Sequence, residues 1–139
     1  MGKVDSIMLT HKAQRKIPLL IHAVLLIVLT QKSIRIDNFI ELHYFFFGSL
    51  ISTILALIMI YAGFKASLHM IGITALTVFS IGLSLLFQIR MVVLIASLLL
   101  VCGIVATSRI EMKAHTYNEL ILGIFIGILP QTGLMYFWL

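Results

Sequence analysis

Thr107-Ser108-Arg109-Ile110-Glu111-Met112-Lys113-Ala114-His115-Thr116-Tyr117-Asn118-Glu119-Leu120-Ile121-Leu122-Gly123 is a polar knot set between two apolar runs. Met91 to Thr107 upstream of it carries no charge, and neither does Leu120 to Leu139 downstream. A bilayer offers no water to backbone N–H and C=O groups, so a spanning run of this kind has to be helical. At roughly 1.5 Å per residue, the two runs approach the ~30 Å of hydrocarbon they have to cross. The knot is therefore the reversal between two antiparallel membrane helices, and that hairpin decides the fold class.

Composition points the same way. Of 139 residues, 61% are hydrophobic and only 11% charged, far from the balance of a water-soluble domain and enough for a single domain. Cys102 is the lone cysteine, inside an apolar run, so no disulfide forms within the chain. The net charge of +5 comes from basic residues that flank apolar segments without aromatic interleaving, which excludes a nucleic-acid surface. Basic residues at a bilayer meet membrane lipid head groups instead, and they also attract phosphorylated lipid.

Outward from the knot, the other runs follow. Met70 to Ile89 is a span closed by Arg90, and Phe39 to Phe64 is a longer one with Glu41 and His43 at its start. Tyr44-Phe45-Phe46-Phe47 suits an interfacial aromatic belt, as do Tyr136 and Trp138 at the far end of the last span. Pro130 is expected to kink that span or to mark its approach to the surface. Ile17 to Gln31 is a shorter membrane helix with Pro18 in its first turn. The expectation is an all-α, polytopic integral-membrane helical bundle of about five membrane helices, with a basic N-terminal segment at 1–16 and the membrane domain at 17–139. Two crossings separate the basic cluster around Lys12 from Ser67 and His69, and two more separate that pair from His115. All three polar groups then return to one face.

The knot itself is suited to holding an anion. Arg109 offers a planar, permanently charged fork that matches phosphate oxygens. His115, at the start of the next helix, lies where free N–H groups and the positive end of the helix dipole favour a bound anion. Glu119, four residues on, falls on the same helical face and can accept the ring's other N–H, fixing one tautomer. The same residues also fit plainer roles: Arg109 as a snorkelling interfacial charge, and His115 with Glu119 as an ordinary helix-surface pair.

Ser108-Arg109, five residues, His115, three residues and Glu119 resembles the third signature motif of the type 2 phosphatidic acid phosphatase superfamily, the membrane lipid phosphate phosphatases. Ala66-Ser67-Leu68-His69 is similar to the family's Pro-Ser-Gly-His motif, with the Ser and the His retained. Three departures accompany the likeness. Glu119 stands for the family's Asp, Ala66 and Leu68 replace Pro and Gly, and the first motif, a Lys followed by Arg-Pro, is represented only by the basic run His11-Lys12-Ala13-Gln14-Arg15-Lys16 before Pro18. Family members usually have six spans with the first two motifs in one loop, whereas here two spans separate the basic run from Ser67.

The resemblance implies a metal-free, cofactor-free hydrolysis of a lipid phosphomonoester or diphosphate through a phosphohistidine. His115 would be the nucleophile, Glu119 its orienting group, and His69 the acid for the leaving oxygen. Arg109, Ser108 and Ser67, with Lys12 and Arg15, would hold the phosphate. Lys12 and Arg15 read first, however, as a basic cluster facing lipid head groups. The location implied is an integral one, in a bacterial inner membrane. With the phosphate-directed cations set aside, the basic residues divide almost evenly between the two faces, so the positive-inside rule does not choose a side. A non-catalytic module that binds lipid head groups fits the same residues, whereas a channel or transporter would want charges inside the spans, which are nearly absent. His11, His22 and His43 do not have metal-ligand spacing.

Overall fold

The structure, a computed structural model, describes residues 12–33 and 37–139, with residues 12–15 and Ser33 described by backbone alone. Five α-helices follow one another: α1 (Lys12–Val28), α2 (Ile40–Tyr61), α3 (Leu68–Leu86), α4 (Val92–Glu111) and α5 (Tyr117–Trp138). A π-helical turn, Leu29–Ser33, prolongs α1, with Thr30 hydroxyl turned back onto the Leu26 carbonyl. No strand occurs among the described residues, and the chain is an all-α helical bundle. Helices α2 to α5 are each long and apolar enough to cross a membrane, which makes this a membrane protein. α1, at 17 residues, begins five residues before the expected Ile17. Most of the 1–16 segment lies outside the described residues.

α5 is the centre of the bundle. It packs most extensively on α3 and then on α2, while α1 leans on α2 and α4 on α3. Without a hydrophobic force between helices in lipid, close approach depends on small residues, and α5 supplies two a helical turn apart. A Cβ on Gly123 would lie 2.7 Å from the Ser67 carbonyl oxygen, and one on Gly127 would lie 2.6 Å from the Ile71 carbonyl oxygen and collide with the Thr74 hydroxyl. The backbones of α3 and α5 touch because nothing stands between them.

Pro130 sits inside α5 and is buried. Having no N–H, it leaves the carbonyl four residues back, Ile126, without its usual helical donor. Ser52 of α2, fully buried, donates its hydroxyl to that carbonyl at 2.8 Å. The helix continues to Trp138 because a neighbour satisfies what proline removes. The residue after the proline, buried Gln131, donates its side-chain amide to the Phe45 carbonyl at 2.9 Å, a second polar tie between α2 and α5.

Two of the aromatics expected at the interface pack within the bundle: Phe45 and Trp138 both turn inward onto Phe79 of α3, with ring centroids 4.5 and 5.8 Å away. Tyr136 stays exposed. α1 begins where α2 ends, with the Lys16 ammonium 4.2 Å above the Tyr61 ring. The starts of α1, α3 and α5 and the ends of α2 and α4 thus occupy one end of the bundle.

Candidate functional site at the α4–α5 turn

The turn after α4 is built on a single residue in the left-handed region, Lys113, with φ 54. That conformation lets Lys113 N–H donate to the Ile110 carbonyl at 2.9 Å and Ala114 N–H to the Arg109 carbonyl at 3.0 Å, the paired bonds of a Schellman helix ending. His115 N–H reaches the Arg109 carbonyl as well, at 3.4 Å. Arg109 and His115, six residues apart in sequence, are thereby tied together through the backbone.

α5 then opens with a capping box. Thr116 Oγ1 accepts from Glu119 N–H at 3.4 Å, and Glu119 Oε2 accepts from Thr116 N–H at 3.3 Å. The same Oε2 lies 2.8 Å from Nδ1 of His115. His115 therefore precedes the helix and does not ride on its first turn. Glu119 reaches it because the capping box folds the carboxylate backwards, not because the two residues share a helical face. With Nδ1 on the carboxylate, the Glu119 side chain orients the ring and favours the tautomer protonated at Nδ1. The imidazole is almost wholly buried, its side chain 3% exposed.

The second motif comes to the same place. Ser67 N–H donates to the Glu119 carbonyl at 3.3 Å, and Lys65 Nζ stands 4.0 Å from Glu119 Oε2. Ser67 is fully buried and is the N-cap of α3, its oxygen accepting from Met70 N–H at 3.5 Å. Its own O–H is not used in that bond. His69 is the second residue of α3 and is exposed. Arg109 is partly buried, and its Nε is a buried donor without a hydrogen-bond partner. Leaving such a donor unmet costs about 1–3 kcal/mol, which an anion's oxygen would recover.

Of the residues expected at a site, the structure joins His115, Glu119, Ser67 and the Arg109 backbone. Ser108 is not joined to them by its side chain: its hydroxyl points along its own helix to the Met112 sulfur, 3.8 Å away. Lys12 and Arg15 are in the first turn of α1, and their side chains lie outside the described residues. Three participants were not anticipated. Thr116 was legible, since Thr-x-x-Glu before an apolar run is the capping-box pattern. Lys65 belongs to no motif, and Gly123 has the pattern of any glycine in a membrane helix. Among the described residues, no three His, Cys, Asp or Glu side chains converge as a metal site would require.

No family model, curated protein or solved structure matches this chain. The functional reading rests on the geometry of this turn and on the two short motifs.

Proposed function

We propose that the chain is an integral-membrane lipid phosphate phosphatase of a bacterial inner membrane. It would hydrolyse a phosphomonoester or diphosphate on a lipid of the phosphatidate, phosphatidylglycerophosphate or polyprenyl diphosphate type. The observation that carries this reading is the 2.8 Å contact between Nδ1 of the buried His115 and Glu119 Oε2, in a turn whose backbone is tied to Arg109, an arginine whose Nε lacks a partner.

In this scheme the Arg109 guanidinium and the Ser67 hydroxyl hold the phosphate oxygens. His115 Nε2 attacks phosphorus, the bond to the lipid oxygen breaks, and His69 gives that oxygen a proton. Glu119 stabilises the positive imidazole of the phosphohistidine. Water then attacks phosphorus, His69 takes its proton, and the P–N bond breaks to release phosphate and neutral His115. Positioned cations and donors are the main requirement of a phosphoryl transition state, and this end of the bundle collects both.

The test is phosphate release from a panel of lipid phosphates by purified protein in detergent with a chelator present. Wild type should turn over at least one substrate. His115→Ala should fall by at least about a thousandfold, as removal of a nucleophile does. Activity that survives the substitution would refute the histidine mechanism.

A second reading, a catalytically degenerate module that binds lipid head groups, is favoured by the orientation of Ser108 away from His115. Retention of lipid phosphate by the protein with no turnover on any substrate would select it.

A further inference from the structure

Between α1, α2 and α3 lies a cavity of about 460 Å³, well within the size range of small-ligand sites. Each helix contributes residues one turn apart: Pro18 and His22 from α1, Ser49 and Thr53 from α2, Leu68 and Gly72 from α3. Leu68 follows Ser67 directly, so the cavity runs inward from the end of the bundle that carries the turn.

Its polar groups are sharply defined. Thr53 hydroxyl donates to the Ser49 carbonyl at 2.8 Å and Ser49 hydroxyl to the Phe45 carbonyl at 2.9 Å. With both protons committed to the helix, these two oxygens offer only lone pairs to the cavity. His22 lines the cavity, and a neutral imidazole presents one donor and one acceptor. An ionisable side chain within a membrane bundle ordinarily faces protein or a partner group. No lining residue carries a fixed charge that would balance an ionic ligand, and a charge there would be costly to desolvate.

We infer that this cavity binds a neutral long-chain alcohol, its chain along the apolar walls and its hydroxyl between His22 and the Ser49 and Thr53 oxygens. A hydroxyl gives and accepts one hydrogen bond, as this trio requires, whereas an ester carbonyl can only accept and an alkane can do neither. The inference stands on the cavity alone. Lipid alcohols are also what a lipid phosphatase releases, so under the proposed function this would be a product site.

The experiment uses the full chain in phosphatidylcholine vesicles and a long-chain alkanol carrying a diazirine beside its hydroxyl. Photolabelling should fall on peptides from α1, α2 and α3 that line the cavity and should be displaced by unlabelled alkanol but not by an alkane of equal length. His22→Leu should weaken displacement by about tenfold, the order of one lost hydrogen bond. A Cβ at Gly72 would meet no atom within 4 Å, so Gly72→Leu should fold normally, fill the space and lose most of the label. His115→Ala should label like wild type, which separates this site from the phosphatase reading. Equal displacement by the alkane, label spread evenly onto α4, or wild-type labelling of Gly72→Leu would overturn the inference.

Discussion

α5 and α4 are neighbours in sequence, similar in length and both apolar enough to span a membrane, yet they are held in opposite ways. α5 is buried against two helices along Leu120, Gly123, Ile126, Gly127, Pro130 and Gln131, and it carries Glu119 at its start with His115 just before it. α4 packs mainly on α3, has no buried residue at all, and carries Arg109 in its last turn. Half of the candidate site is thus anchored in the most constrained helix and half hangs from the least constrained. The contrast teaches that side chains sharing one turn can differ in what fixes them: His115 is placed by packing and a capping box, Arg109 by one backbone turn. If a phosphate bridges the two, it does so by joining a rigid element to a loosely held one.

The largest expected effect tests whether Arg109 belongs to the site at all. On the proposed mechanism, Arg109→Ala should lower phosphate release by about a hundred- to a thousandfold, the scale for a single charge-stabilising donor. Thermal stability should be almost unchanged, because α4 contributes no buried residue and the guanidinium Nε makes no bond. Arg109→Lys should rescue little, since an ammonium lacks the planar fork. A loss of stability as large as the loss of activity would mean that Arg109 holds α4 in place and does not grip substrate.

Next in size is a packing test of the anchored side. Gly127→Leu places a side chain where even a Cβ meets the Thr74 hydroxyl and the α3 backbone. Overpacking costs about 1–3 kcal/mol or more, here with no flexible neighbour to yield, so reversible unfolding in mixed detergent micelles should show a loss at the top of that range. The matching change on α4, Gly103→Leu, faces open space and should be neutral. Equal effects at the two glycines would erase the distinction between the helices.

A smaller effect should come from Ser52. Ser52→Ala removes the donor that serves the Ile126 carbonyl beneath Pro130 and should cost about 1–2 kcal/mol, since it leaves a buried acceptor unmet. Pairing it with Pro130→Ala supplies the missing helical N–H, and the double variant should recover most of that loss in the same unfolding assay. Additive losses would show that the serine acts by packing and not through the carbonyl.

These contrasts bear on how far the sequence could be read. The spans were legible because lipid leaves an uncharged run of that length no alternative to a helix, and the return of Ser67, Arg109 and His115 to one end follows from counting crossings. The centrality of α5 was not anticipated: Gly123-Ile124-Phe125-Ile126-Gly127 is a small-xxx-small pair of the kind that permits close helix packing, but hydropathy alone passes over it. His115 beside Glu119 was foreseen for an incomplete reason: spacing suggests a shared helical face, and only the Thr116-x-x-Glu119 pattern explains why the carboxylate reaches backwards. The packing of Phe45 and Trp138 on Phe79 was not legible, because an aromatic near the end of a span suits the interface and the bundle interior equally, and its contacts depend on the neighbouring helix. Lys65 could not be found, since its approach to Glu119 depends on the tertiary contact between the starts of α3 and α5.

The turn that joins the two unlike helices gives the finest test. A helix ending of this type normally has glycine in the left-handed position; here Lys113 occupies it at φ 54, which no sequence pattern announces. A side chain in that region is strained, and glycine relieves the strain while making the unfolded chain more flexible. The net expectation for Lys113→Gly is a gain of about 0.5–1 kcal/mol. Lys113→Ala retains the strain and should show no gain. Amide exchange at Ala114 and His115 should slow in the glycine variant, because both N–H groups bond to the Arg109 carbonyl, while exchange within α5 should not change. If instead the glycine variant is less stable than wild type, the lysine side chain contributes more than its backbone strain costs, and the α4 end is held by charge and not by the turn alone.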